Sequence, residues 1–71
     1  MKNNIHVERA IARMTQQQLA EQVGVSRQTI VAIEAGKYVP STVLALKIAH
    51  IFGRSFDDVF QLEEEDWNNE K

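Results

Sequence analysis

Apolar residues along this chain recur mostly at intervals of three and four, the spacing of one helical face, and only rarely alternate. Ile5 and Val7 alternate with polar neighbours, which allows a very short strand. Val7, Ala10, Ile11 and Met14 then predict a first helix reaching about Arg13, with those four as its inward stripe. Thr15, followed three residues later by Gln18, forms a capping box. It opens a second helix over about residues 15–23, with Leu19, Ala20 and Val23 inward. Gly24 ends that helix, because glycine enters the left-handed backbone region without a Cβ clash. Val25 plugs the turn, and Ser26 caps a third helix over about residues 26–35 that buries Ile30 and Ile33. Ser41 caps a fourth helix with the stripe Leu44, Ala45, Ile48, Ala49 and Phe52, closed at Gly53. Ser55 begins a short fifth helix that turns Phe56, Val59 and Phe60 inward. The predicted fold class is all-α, a compact five-helix domain over residues 1–62, followed by an acidic, flexible tail over residues 63–71.

Composition narrows the function. Seventy-one residues make one domain with a thin core, so a partner subunit is a natural source of further burial. The chain has no cysteine, which excludes disulfides and thiolate zinc sites. His6 and His50 have no carboxylate or second histidine at metal-ligand spacing. No nucleophile motif or glycine-rich phosphate loop is present, so neither an enzyme, a metal nor a cofactor is expected. No apolar run approaches the roughly 18 residues of a membrane span, and MKNNIHVE lacks the apolar core of a signal peptide; a cytoplasmic location without membrane partners is expected. The net charge of −2 hides an asymmetry. Residues 63–71, EEEDWNNEK, hold five acids and one base, which leaves residues 1–62 with seven bases against five acids. A basic body beside an acidic tail hints at nucleic acid.

Two short helices joined by a tight glycine turn have helix-turn-helix geometry, with Ala20 small where the helices cross and Leu19, Val23, Ile30 and Ile33 apolar where the pair is buried. The run TQQQLAEQVGVSRQTIVAIEAGKYVPS resembles the core of the Cro/repressor-type, or Xre-like, helix-turn-helix family, and the likeness extends over roughly residues 4 to 60. Within that family it is most similar to small single-domain regulators built of five helices, sometimes with short terminal strands, that bind operators as dimers. The resemblance implies a sequence-specific regulator of transcription. Glu8 departs from the family, whose usual residue there is apolar, so Val7 or Ile11 is expected to take over its packing role.

Stepping 100° per residue around the third helix, with Ile30 and Ile33 inward, turns Gln28, Val31, Ala32 and Ala35 outward and leaves Arg27 in the first turn. Arg27 can pair with guanine and Gln28 with adenine in the major groove, while Val31 and Ala32 suit a thymine methyl. Phosphate contacts are expected at helix starts, from Gln16 and Ser26, and the resemblance implies further ones from Lys37, Tyr38 and Ser41, which match the family's backbone-gripping segment before the fourth helix. Gln16 matches the family's phosphate-binding glutamine, and the resemblance also implies an ion pair between Arg9 and Glu34 that ties the first helix to the third. Leu46, Ile51, Leu62 and Trp67 are left over once the core is assigned, and a homodimer interface is expected at Leu46, Ile51, Phe60 and Leu62. The expected function is a dimeric repressor on a palindromic double-stranded DNA operator. The alternative is a DNA-binding antitoxin or regulator that also docks a protein partner through its C-terminal region.

Overall fold

The computed structural model describes residues 1–67. Serine and threonine caps divide the chain into helices. Thr15 accepts from the Gln18 backbone N–H at 3.0 Å while the Gln18 side chain accepts from the Thr15 N–H at 2.9 Å, a complete capping box that starts α2 (Gln16–Val23). Ser26, Ser41 and Ser55 each accept from the N–H three residues on and start α3 (Arg27–Glu34), α4 (Thr42–Phe52) and α5 (Phe56–Val59). Ahead of them lie β1 (Lys2–Asn3) and α1 (Ile5–Ala12), and after them β2 (Phe60–Gln61) and a single helical turn, α6 (Glu64–Trp67). The two strands pair antiparallel, Lys2 with Gln61 and Asn3 with Phe60.

The core is built from Ile5, Leu19, Ala20, Val23, Ile30, Ile33, four residues of α4 (Leu44, Ala45, Ile48 and Ala49), Val59 and Phe60. The stripes predicted for the second and third helices are the buried ones. Phe52 and Phe56 are only half-buried against this core, and Phe56 stacks on Phe60 with ring centroids 5.3 Å apart. The fourth helix packs against α1, α2 and α5 and so joins the two ends of the domain.

The first helix corrects the sequence reading. Val7 and Ile11, expected inward, are 51% and 63% exposed, and Ala10 is exposed as well. Ile5 and Glu8 are the buried positions. The strand suggested by Ile5 and Val7 lies earlier, at Lys2–Asn3, and Ile5 already belongs to α1. The cause is a charge pair: Arg54, in the turn after α4, donates to the Glu8 carboxylate at 3.1 Å, so an acid takes the inward place and the apolar pair does not replace it. Arg54→Ala should strand this carboxylate. A fully buried pair loses more, but Arg54 is half exposed, so the expected cost is about 1–2 kcal/mol. Glu8→Leu should hold or raise Tm, because apolar residues of similar volume often match a buried pair. Thermal melts of both variants decide it, and an unchanged Tm for Arg54→Ala would remove the pair from the account.

Within the acidic tail, residues 64–67 form α6, a turn the sequence reading did not include; residues 68–71 lie outside the described residues. The acids there are held because strand pairing brings the Met1 amine to them, 2.8 Å from Glu63 Oε1 and 3.3 Å from Asp66 Oδ2. The Glu63 N–H also donates to Asp66 at 2.7 Å. The bond to Glu63, aided by Asp66, raises the Met1 amine above its ordinary 8.0. The Glu63 N–H, then the Met1 amine, lowers the Asp66 carboxyl below its ordinary 3.8. The amine's contribution is therefore complete below pH 8.0 and lost as pH rises through its raised value, while that of Asp66 is complete above pH 3.8 and lost as pH falls through its lowered one. The amide shift of Glu63 should move as pH rises through the raised value of the Met1 amine and as pH falls through the lowered value of Asp66. A shift that is constant at both extremes would exclude the clamp.

Candidate nucleic-acid interface

Only residues 24–26 separate α2 from α3. Gly24 makes the turn with φ 80°, and its N–H bonds to the Ala20 carbonyl at 2.9 Å. Ala20 is fully buried at the crossing, where a larger side chain would force the helices apart. With Ile30 and Ile33 buried, α3 exposes Arg27, Gln28 and Val31, and Ala35 at its C-cap is exposed as well, whereas Ala32, expected outward, is half-buried. From the rear, the Asn3 side chain donates to the Ile33 carbonyl at 2.9 Å, so the small sheet holds the last turn of α3.

Arg27 and the N-terminus of α2 share one depression, lined also by His6, Arg9, Arg13, Gln17 and Glu34. Gln16 lines it too, but its amide is not free: Nε2 donates to Glu34 Oε1 at 3.1 Å. Ser26 and Ser41 serve as caps, accepting from Thr29 and Leu44 at 3.2 Å. The Ser41 hydroxyl keeps its proton to donate elsewhere, whereas the Ser26 hydroxyl also lies 3.0 Å from Thr29 Oγ1, a bond in which either oxygen can donate. Lys37 and Tyr38 are exposed beside Gly36, whose φ is 77°.

The expected Arg9–Glu34 pair is present and bidentate. Arg9 Nε bonds to Glu34 Oε2 and Nη2 reaches Oε1 at 3.1 Å, with both side chains largely buried. A third bond from Arg9 Nη1 to the Met14 carbonyl at 3.0 Å fixes the α1–α2 turn. Sequence reasoning gave Arg13 no role. Among the described residues it is the one non-glycine residue with positive φ, 56°, and it lines the same depression as Arg27. Its only sequence signal is a base two positions before a predicted cap.

The four residues expected at a dimer interface fall on two separate surfaces. Leu46 and Ile51 line one with Val43, Lys47 and His50. Phe60 and Leu62 line the other with Met1 and Phe56. Phe60 is 3% exposed and belongs to the core of the single chain, where it pairs with Asn3 as the first residue of β2 and stacks on Phe56, so Leu62, at 56%, offers the free surface there.

No helix among the described residues is long and apolar enough to cross a membrane. Residues 8–59 match the model of a helix-turn-helix family. An uncharacterized HTH-type transcriptional regulator of Methanocaldococcus jannaschii is 52% identical over 66 residues, which cover 93% of this chain and 100% of the relative. YgzD of Bacillus subtilis, of the same description, is 54% identical over 65 residues, 92% of this chain and 98% of the relative. Among solved structures, the clp gene regulator ClgR from Corynebacterium glutamicum superposes with a TM-score of 0.72 at 30% identity, over 76% of this chain and 57% of that one. The SOS-response transcriptional repressor LexA of Eubacterium rectale shares the fold, with a TM-score of 0.75 at 24% identity over 86% of this chain and 65% of that one. The chain belongs to the Xre-like helix-turn-helix family.

Proposed function

We propose that the protein is a sequence-specific regulator of transcription that inserts α3 into the major groove of double-stranded DNA and acts as a dimeric repressor in the cytoplasm. One observation carries this reading: α3 exposes Arg27, Gln28 and Val31 while Arg27 borders the depression at the α2 N-terminus. A base-reading edge and a phosphate seat then lie side by side. Arg27, Gln28, Val31 and Ala32 read bases. Gln16, Ser26, Lys37, Tyr38 and Ser41 hold the backbone. The family and its relatives are transcriptional regulators and not enzymes, so occupancy of DNA is the activity.

The homodimer uses the surface of Leu62, Met1 and Phe56. That surface adjoins the sheet whose Asn3 holds the last turn of α3, so a two-fold axis there sets both recognition helices through a short rigid path. Half-sites about 34 Å apart make the operator a near-palindrome. Selection of bound duplexes from a random pool, followed by footprinting, tests the whole. An enriched inverted repeat with two protected half-sites is expected, and absence of any enriched sequence at low salt overturns the reading.

A further inference from the structure

Glu34 is the shared acceptor of two donors. Its Oε1 receives both Arg9 Nη2 and Gln16 Nε2 at 3.1 Å, and its side chain is only 10% exposed. A glutamine amide has an acceptor end and a donor end of nearly equal size, and rotation by half a turn exchanges them. Beside a carboxylate only the donor end is tolerated. Gln16 is therefore held with its nitrogen toward Glu34, and the second hydrogen on that nitrogen remains available at the start of α2, where the Gln16 and Gln17 backbone N–H groups precede the first intrahelical acceptor while Gln18 is capped by Thr15. The arrangement also manages charge. A lone carboxylate beside a phosphate seat would repel the ligand, but the bidentate guanidinium of Arg9 cancels it.

We propose that Glu34 is a positioning residue for DNA: by fixing the Gln16 amide it aims an N–H at the phosphate. This role rests on the DNA-binding reading above and extends the Arg9–Glu34 pair from holding helices together to shaping the contact surface. Electrostatics alone and positioning predict opposite signs for Glu34→Gln. Removing a negative charge near DNA should tighten binding, whereas freeing the Gln16 amide to rotate should weaken it.

The test is a double-mutant cycle with a fluorescein-labelled, mixed-sequence duplex of two helical turns, titrated by anisotropy at several salt concentrations. Glu34→Gln is compared in the parent and in the Gln16→Ala background, with the Tm of every variant recorded. Positioning predicts a loss of about three- to tenfold in the parent, the worth of one hydrogen bond, and no loss in the Gln16→Ala background. Where Glu34→Gln does not fold, Glu34→Asp replaces it. The shorter side chain keeps the charge but withdraws the acceptor, so a loss confined to the parent background is again expected. Unchanged or tighter binding in the parent, or an equal loss in both backgrounds, overturns the role of Glu34 while leaving the DNA-binding reading intact. A parent that binds no duplex at low salt overturns both.

Discussion

Ile48→Ala is expected to remove about half of the stability of the domain. Ile48 is fully buried on α4, the helix that packs against α1, α2 and α5, so the cavity would open where both ends of the fold meet. Truncating a buried isoleucine to alanine costs about 2–5 kcal/mol, through lost transfer energy and the cavity left behind. A domain of this size holds about 4–10 kcal/mol in total. The Tm should therefore fall by at least about 10 °C, since 1 kcal/mol shifts it by about 4–8 °C at this length. Ile48→Val, which removes one methyl, should cost about 0.5–1.5 kcal/mol. Val43→Ala, on the exposed side of the same helix, should stay within about 0.5 kcal/mol of the parent. Urea unfolding of the three variants checks the order, and a Val43 variant as damaging as the Ile48 one would contradict the assigned core.

Arg27→Ala should lower affinity for the selected operator by about tenfold to a hundredfold, the 1–3 kcal/mol of a bidentate base contact. Arg27 is exposed in the first turn of α3 beside Arg13, so it can reach either a guanine edge or a phosphate. The two roles separate by what else changes. A base contact relaxes preference at one position of each half-site, whereas a phosphate contact weakens all duplexes alike and reduces the salt slope by about one. Repeating the site selection with the variant distinguishes them. An unaltered consensus together with a flatter salt slope would move Arg27 from the reading set to the gripping set.

The helix-turn-helix was legible because its constraints are local. A cap at Thr15, a glycine at the turn, a cap at Ser26 and apolar residues at helical spacing leave one arrangement for α2 and α3. The outward face of α3 followed from that geometry. Helix α1 was misread because two stripes compete on it, and what decides between them is Arg54, a partner 46 positions away that local periodicity cannot register. The helical turn at Glu64–Trp67 was missed for the same reason, since its acids depend on an amine delivered by strand pairing. The Gln16–Glu34 bond needed the relative placement of α2 and α3, which spacing implies only coarsely. Arg13 carried only the weak signal of a base two positions before the Thr15 cap.

The two-residue strands also bear on the order of assembly. The sheet, the Met1 clamp and the Asn4 bond to the Asp58 carbonyl join groups 54 or more positions apart in the chain, whereas the packing of α2 on α3 joins close neighbours. Contacts between neighbours close short loops and form early; those between chain ends carry the largest loop entropy and form late. On opening, the sequence runs in reverse. The ends release first, and with them Asn3 lets go of the Ile33 carbonyl, so the last turn of the recognition helix loses its rear support before the rest of the domain yields.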